Sequence, residues 1–77
     1  MASKLILEYD PVGDILHMRR CAPYARQETD ELGEDVLIRS NPDTGEIEGL
    51  EILFFTARTG SGQPLELPVT ALLRLAS

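Results

Sequence analysis

The amino-acid sequence predicts an α+β domain, an antiparallel β-meander of four to five strands with one short C-terminal helix. Two pairs of β-rich segments are each joined by a turn that contains proline and glycine, which is typical of hairpins. Near the C-terminus, apolar residues recur at helical spacing. A chain of 77 residues has room for one domain, so we expect residues 1–77 to fold as a single unit.

The first hairpin is predicted over residues 4–20. Residues 4–9 and 15–20 are rich in β-forming side chains, with Leu5, Leu7 and Tyr9 on one face of the first strand. Between them, Asp10-Pro11-Val12-Gly13 suits a type I turn, because aspartate can accept a backbone hydrogen bond and proline presets φ. Residues 21–27 follow as a loop.

A second hairpin is predicted from residues 35–40 and 46–57, joined by the turn Asn41-Pro42-Asp43-Thr44-Gly45. The second of these strands is the longest and most apolar. The short acidic segment 28–32 is ambiguous between a weak edge strand and loop.

The C-terminal part has two alternatives. Residues 59–64 have the composition of a flexible linker. Four apolar residues between Val69 and Ala76 follow an i, i+3, i+4, i+7 pattern with Pro68 at the first helical position, which favours a helix. Leu65, Leu67 and Val69 also alternate, so a last strand stays open.

Composition limits the function classes. Thirteen acids against seven bases give a formal charge of −6, which disfavours binding to nucleic acids through long-range repulsion. No segment is apolar enough for a membrane helix or a secretory signal, so we expect a cytoplasmic protein without a membrane partner. With only Cys21 and His17, neither an intrachain disulfide nor a Cys/His zinc site is expected.

Small chains commonly need an additional source of stability, and oligomerisation is the option left. The predicted strand 46–57 is apolar on both sides, which indicates that both faces of the sheet must be covered. We therefore expect a homo-oligomer, a dimer or higher, with Ile47, Leu53 and Phe55 in the interface.

Few residues suggest chemistry. His17 and Cys21 lack the neighbours of a catalytic pair, and Asp10 and Asp14 are expected to cap the first turn. Glu51 interrupts an apolar strand, so its carboxylate should be paired, protonated or at an interface. Candidate partners for it are Arg19, Arg20 and Arg39. No catalytic residue, cofactor or metal site is predicted.

Two motifs carry a family resemblance. Residues 9–16, Tyr-Asp-Pro-Val-Gly-Asp-Ile-Leu, and residues 43–53, Asp-Thr-Gly-Glu-Ile-Glu-Gly-Leu-Glu-Ile-Leu, resemble the "YDxxxDxL" and "DxGxIxGxEIL" segments of the DUF2283 family. His17 departs from a frequent tyrosine, and Arg39-Ser40 from a frequent acidic pair. The resemblance implies a small bacterial or archaeal protein with antiparallel sheets, and no reaction. The matching positions, whose roles it leaves open, are Asp10, Asp14, Gly45, Gly49 and Glu51.

The leading functional interpretation is a non-enzymatic oligomeric interaction module, in one version an antitoxin-like partner that neutralises a basic protein. The alternative is a small enzyme or ligand binder. Its site would lie at the subunit interface and would combine Asp14, His17 and Glu51 of different chains.

Overall fold

The computed structural model describes residues 4–76. It contains one five-stranded antiparallel sheet and one short helix that follows the last strand. The elements are β1 (Ile6–Asp10), β2 (Ile15–Arg19), β3 (Glu28–Glu31), β4 (Val36–Ser40), β5 (Ile47–Ile52) and α1 (Phe55–Thr59). The predicted antiparallel sheet with a short helix is confirmed, although the domain is mostly β.

The strand order corrects the predicted meander. The sheet runs β1-β2-β5-β4-β3, so the last strand lies in the centre and the 20–27 loop carries the chain from β2 to the far edge. A meander would have placed β3 beside β2. In the observed order, the apolar β5 has a paired strand on both sides. The acidic β3 lies at an edge with all its residues exposed, and its charges disfavour the addition of a further strand there.

β5 is shorter than predicted. It ends at Ile52 rather than continuing to residue 57, and the chain turns through Leu53 and Phe54 into α1. Phe54 has a left-handed backbone with φ of 54°, and the Leu53 amide donates to the Asp35 carbonyl at 2.9 Å. The apolar run does not mark this boundary, because hydrophobicity alone does not separate a buried strand from a short helix.

The C-terminal helix predicted from residue 68 onward is wrong. Residues 63–76 form neither helix nor strand, and the helix of the structure lies earlier, at Phe55–Thr59. An isolated helix of nine residues is marginal in water. In this irregular segment, the half-buried residues Leu65, Leu67 and Val69 alternate with exposed ones.

The two faces of the sheet differ in chemistry, contrary to the expectation that both are apolar. Residues paired directly across strands share a face. One side, here called the apolar face, carries Leu16, Met18, Leu50 and Ile52 together with the neighbouring side chains Leu7, Tyr9, Val36 and Ile38. The opposite side, here called the polar face, is mostly charged or small, with Glu8, His17, Arg19, Arg39, Gly49 and Glu51.

The buried core lies on the apolar face and is small. Within residues 4–76, the buried apolar side chains are Val36, Leu50 and Ile52. Val36 and Ile52 pair directly across β4 and β5, and Leu16 pairs with Ile52 from the other side. Phe55 of α1 covers this end of the face, with its ring centroid 6.1 Å from that of Tyr9.

The second turn forms as predicted, around an Asx motif. The Asn41 side-chain oxygen accepts hydrogen bonds from the amides of Asp43 at 2.8 Å and Thr44 at 3.1 Å. Gly45 has φ of 77°, a region that favours glycine, and its amide donates to the Asn41 carbonyl at 2.8 Å. This geometry joins β4 to β5.

Replacing Ile52 with alanine should strongly destabilise the fold. Ile52 is 2% exposed at the centre of the sheet, so Ile52→Ala leaves a cavity that costs about 2–5 kcal/mol in the free energy of unfolding. Urea unfolding measures this loss. The control Val12→Ala, at a turn residue that is 97% exposed, should change stability by less than about 0.5 kcal/mol. Equal effects of the two substitutions would contradict this core.

Candidate functional site

The polar face forms the floor of a cavity of about 170 Å³. The loop that follows β2 forms one wall, through Cys21, Pro23 and Gln27, and β1, β2, β4 and β5 supply the rest. The charged and titratable groups that line it are Glu8, His17, Arg19, Cys21, Arg39, Glu48 and Glu51.

Gly49 makes room for this cavity. It lies opposite Arg19 on one neighbouring strand and opposite Arg39 on the other, so the two guanidinium-bearing side chains flank a position without a side chain. A Cβ atom at Gly49 would lie 3.3 Å from the Met18 carbonyl oxygen and 3.6 Å from the Arg19 Cβ. A larger residue would therefore crowd the backbone and fill the floor.

Glu51 is the least exposed carboxylate among the salt bridges of the described chain, with a side chain that is 12% exposed. Its Oε1 accepts a hydrogen bond from Arg39 Nε at 2.7 Å and lies 2.5 Å from Arg39 Nη2. The Nδ1 atom of His17 lies 3.9 Å from the same oxygen, and Arg39 Nη1 also donates to Thr29 at 3.3 Å. Of the three arginines considered from the sequence, Arg39 is therefore the partner of Glu51.

Glu48 reaches the cavity through an irregularity in the sheet. The register between β4 and β5 shifts between Arg39 and Ser40, so that Arg39 faces Gly49 while Ser40 faces Ile47. This bulge leaves Glu48 without a direct partner on β4. Its carboxylate turns toward the 21–27 loop.

Two side chains of that loop hold the Glu48 carboxylate. The Tyr24 hydroxyl donates to Glu48 Oε1 at 2.5 Å, and Gln27 Nε2 donates to the same oxygen at 3.2 Å. These hydrogen bonds, that from Tyr24 first, lower the pKa of Glu48 below its ordinary value. The bond to the carboxylate raises the pKa of Tyr24 to about 12.

Asp14 forms a separate cluster at the end of the first hairpin. Its Oδ1 accepts hydrogen bonds from the Tyr9 hydroxyl at 2.7 Å, the Thr56 amide at 3.0 Å and the Thr56 hydroxyl at 2.9 Å. Its backbone carbonyl accepts from the Phe55 amide at 3.0 Å. The Tyr9 bond, followed by that of the Thr56 amide, lowers the pKa of Asp14, while the same contact with Asp14 raises the pKa of Tyr9. Asp14 thus ties β1 and β2 to α1.

The family-motif positions divide into two groups. Asp10 and Gly45 shape turns, and Asp10 Oδ1 accepts from the Val12 amide at 3.0 Å, as the turn composition predicts. Asp14 was also expected to cap the first turn, but its carboxylate accepts from Tyr9 and Thr56 instead. Gly49 and Glu51 lie at the cavity. His17 and Glu51 approach each other within one chain, whereas Asp14 lies in its own cluster. The predicted site between subunits, which would combine these residues from different chains, stays a prediction.

The predicted interface residues do not lie on one strand. Phe55 belongs to α1, and Leu53 lies in the turn before it. Ile47 pairs with Ser40, beyond the bulge, and lines a groove together with Leu50 of the apolar face. The strand alternation used for the prediction fails here because β5 ends early and contains a bulge.

Neither a metal centre nor a membrane span is found in the described part of the chain. Among residues 4–76, no three His, Cys, Asp or Glu side chains are grouped to hold a metal ion. No helix of this part is long and apolar enough to cross a bilayer.

The family model described as protein of unknown function (DUF2283) matches residues 6–55. This match covers β1 to β5, the sheet that carries both the turn-forming aspartates and the cavity floor. The chain belongs to this family. No curated protein and no solved structure matches it.

Tyr24 and Gln27, which hold the carboxylate of Glu48, were not predicted from the sequence, and neither was the position of Glu48 in the cavity lining. The first two lie in a segment assigned only as loop, and their contacts with Glu48 span 24 and 21 residues along the chain. One signal was present for Glu48, because an acid directly before a glycine inside a strand is compatible with a bulge.

Glu48→Gln should lower the pKa of Tyr24 toward its ordinary value. The reason is that the hydrogen bond to the Glu48 carboxylate is the main cause of the raised pKa of about 12. In a Tyr9→Phe background Tyr24 is the only tyrosine, and its absorbance titration should move from about 12 toward 10. Glu46→Gln, which removes an exposed acid paired with Arg20, is the matched control and should not move it. An unchanged midpoint in Glu48→Gln would contradict the contact.

Asp14→Asn should remove a pH-dependent contribution to stability. Because the pKa of Asp14 is lowered in the folded chain, its contribution is complete above the unfolded-state pKa of about 4 and is lost as the pH falls through the folded-state pKa. Urea midpoints of the native protein and Asp14→Asn should therefore differ most near neutral pH and converge in strong acid. A difference that stays constant with pH would show that Asp14 does not act through its charge.

Proposed function

We propose that this chain is a non-enzymatic interaction module whose first partner is a second copy of itself. The single observation that carries the proposal is the imbalance between three buried apolar side chains and twelve exposed large ones in the described chain. Each large apolar side chain left in water forgoes about 1.5–3 kcal/mol of burial free energy. A domain of this size has little stability to spare.

Four of the twelve exposed residues collect in one place. Leu5, Ile47, Leu72 and Leu73 are all exposed and line a groove of about 330 Å³ over the apolar face, with Met18 and Leu50 at its base. Contiguous apolar surface of this kind marks an interaction site more often than scattered exposed residues do.

The free edge of β1 adjoins this groove. Leu5, Ile6 and Leu7 are exposed there, and an apolar edge strand is a template for pairing with another strand. The opposite edge, β3, has the sequence Glu-Thr-Asp-Glu and is protected by its charges. Two copies joined at β1 about a two-fold axis would continue the apolar face from one chain to the other.

A finer version of the proposal adds a basic protein as the partner of the assembled module. Its support is the formal charge of −6 and the acidic β3 edge, which attract cationic surfaces over a distance of about a Debye length. This version retains the antitoxin-like role as one instance of such neutralisation.

A second candidate function, the binding of a small ligand, is favoured by the cavity on the polar face. This cavity and the groove of the proposed contact between copies adjoin each other, since both are lined by Met18, Arg19, Glu48, Gly49 and Leu50. The cavity brings His17 and Glu51 together within one chain, without Asp14.

Light scattering coupled to size exclusion tests the self-association. At roughly 10 μM, the native chain should elute with twice its 8.5 kDa mass, because the β1 edges and grooves are covered in the pair. Leu7→Lys places a charge on the edge and should shift the protein to the monomer mass, with an unchanged far-ultraviolet circular dichroism spectrum.

The matched control is Val12→Lys, which adds the same charge at the exposed first turn and should leave the pair intact. A native chain that elutes as a monomer, with a urea midpoint independent of protein concentration, would contradict the proposal. So would equal weakening by Leu7→Lys and Val12→Lys.

A further inference from the structure

Most charged groups in the cavity already have partners of opposite sign. Arg39 contacts Glu51, and Arg19 contacts Glu8. The two guanidinium groups are therefore neutralised by two carboxylates within the site. A third carboxylate, Glu48, completes the lining, so acids outnumber arginines.

Glu48 is the carboxylate of the cavity lining that has no arginine partner. It forms no salt bridge with any side chain of residues 4–76, in contrast to Glu8 and Glu51. It is half-buried, and its Oε1 accepts hydrogen bonds from Tyr24 and Gln27. The Asn41 side chain and the charge of Arg20 also lower the pKa of this carboxylate, although Arg20 pairs with Glu46 instead. Neutral donors stabilise the anion but do not balance its charge.

A second acceptor lies beside Glu48 and also lacks a partner. The Gln27 Oε1 atom is buried and accepts no hydrogen bond in the described chain. The orientation of this amide is set by its other end, because Nε2 donates to Glu48 Oε1 at 3.2 Å and a flipped amide would place oxygen against the carboxylate. A buried amide oxygen without a donor is unfavourable.

We propose that this cavity binds a cationic N–H donor, a guanidinium or primary ammonium group, at Glu48 and Gln27. Such a group supplies what the carboxylate lacks, a positive charge together with N–H donors. The free volume of about 170 Å³ far exceeds what a single water molecule needs, and Gly49 keeps the floor open.

The charged side chains that line the cavity disfavour the binding of an anion. A bound carboxylate or phosphate would compete with Glu8 and Glu51 for Arg19 and Arg39, and it would add to an existing excess of acid. The cation can come from a free amine or from an arginine or lysine side chain of a protein. The two sources share one chemistry and are distinguished by the test.

Heteronuclear NMR of the Gln27 side-chain amide, in the intact chain, provides the local readout. The probes are methylguanidinium chloride, propylammonium chloride and a short blocked peptide, glycine-arginine-glycine, with sodium propionate as the anionic control. Both small cations should shift the Gln27 signal saturably with a Kd on the order of 1 mM, and propionate should not. Tighter binding of the peptide identifies a protein side chain as the source, and tighter binding of methylguanidinium or propylammonium identifies a small amine.

Two glutamine substitutions make the result specific. Glu48→Gln removes the charge while keeping an oxygen for Tyr24, and should weaken cation binding at least about tenfold. Glu46→Gln, which removes an acid outside the cavity, should bind like the native chain. The proposal is overturned if the cations cause no saturable shift, if propionate binds as tightly, or if the two variants respond alike.

Discussion

The placement of β5 between β2 and β4 is the constraint on which the rest of the structure depends. It brings Leu50 and Ile52 between apolar partners on both sides, and these contacts form a core of three buried apolar side chains in the described chain. A larger core would need a further layer of secondary structure packed on the sheet. The described chain has only a short helix and an irregular C-terminal segment for this purpose. Burial is therefore concentrated at the centre of one face, and the margins of that face remain open.

The same placement gives the two faces different roles. Alternation along β5 directs Leu50 and Ile52 to one side and Gly49 and Glu51 to the other, so a single strand supplies both the core and the floor of the cavity. The bulge beside Ser40 interrupts this alternation, so that the Glu48 side chain contacts the 21–27 loop. In our account, the apolar side serves assembly and the polar side serves recognition, and the two surfaces adjoin at Glu48 and Gly49.

Local patterns predicted much of the fold. Both hairpin turns were predictable because aspartate, asparagine, proline and glycine impose local geometry, and the structure uses Asp10 and Gly45 as expected. Strand order, the end of β5 and the position of the helix were not predictable, since they depend on which surfaces meet in the folded chain. The cavity shows the same division: Gly49 and Glu51 stood out in the sequence, whereas Tyr24 and Gln27 become relevant only after a loop folds over β5.

Hydrogen exchange of the two edge strands tests the central claim, that the chain is completed by a second copy at β1. The account predicts that the outward amides of Ile6–Asp10 exchange more slowly as the protein concentration rises, because pairing protects them. Amides of Glu28–Glu31, at the acidic edge, should exchange rapidly at every concentration. Rates at β1 that match those at β3 and do not vary with concentration would contradict the account.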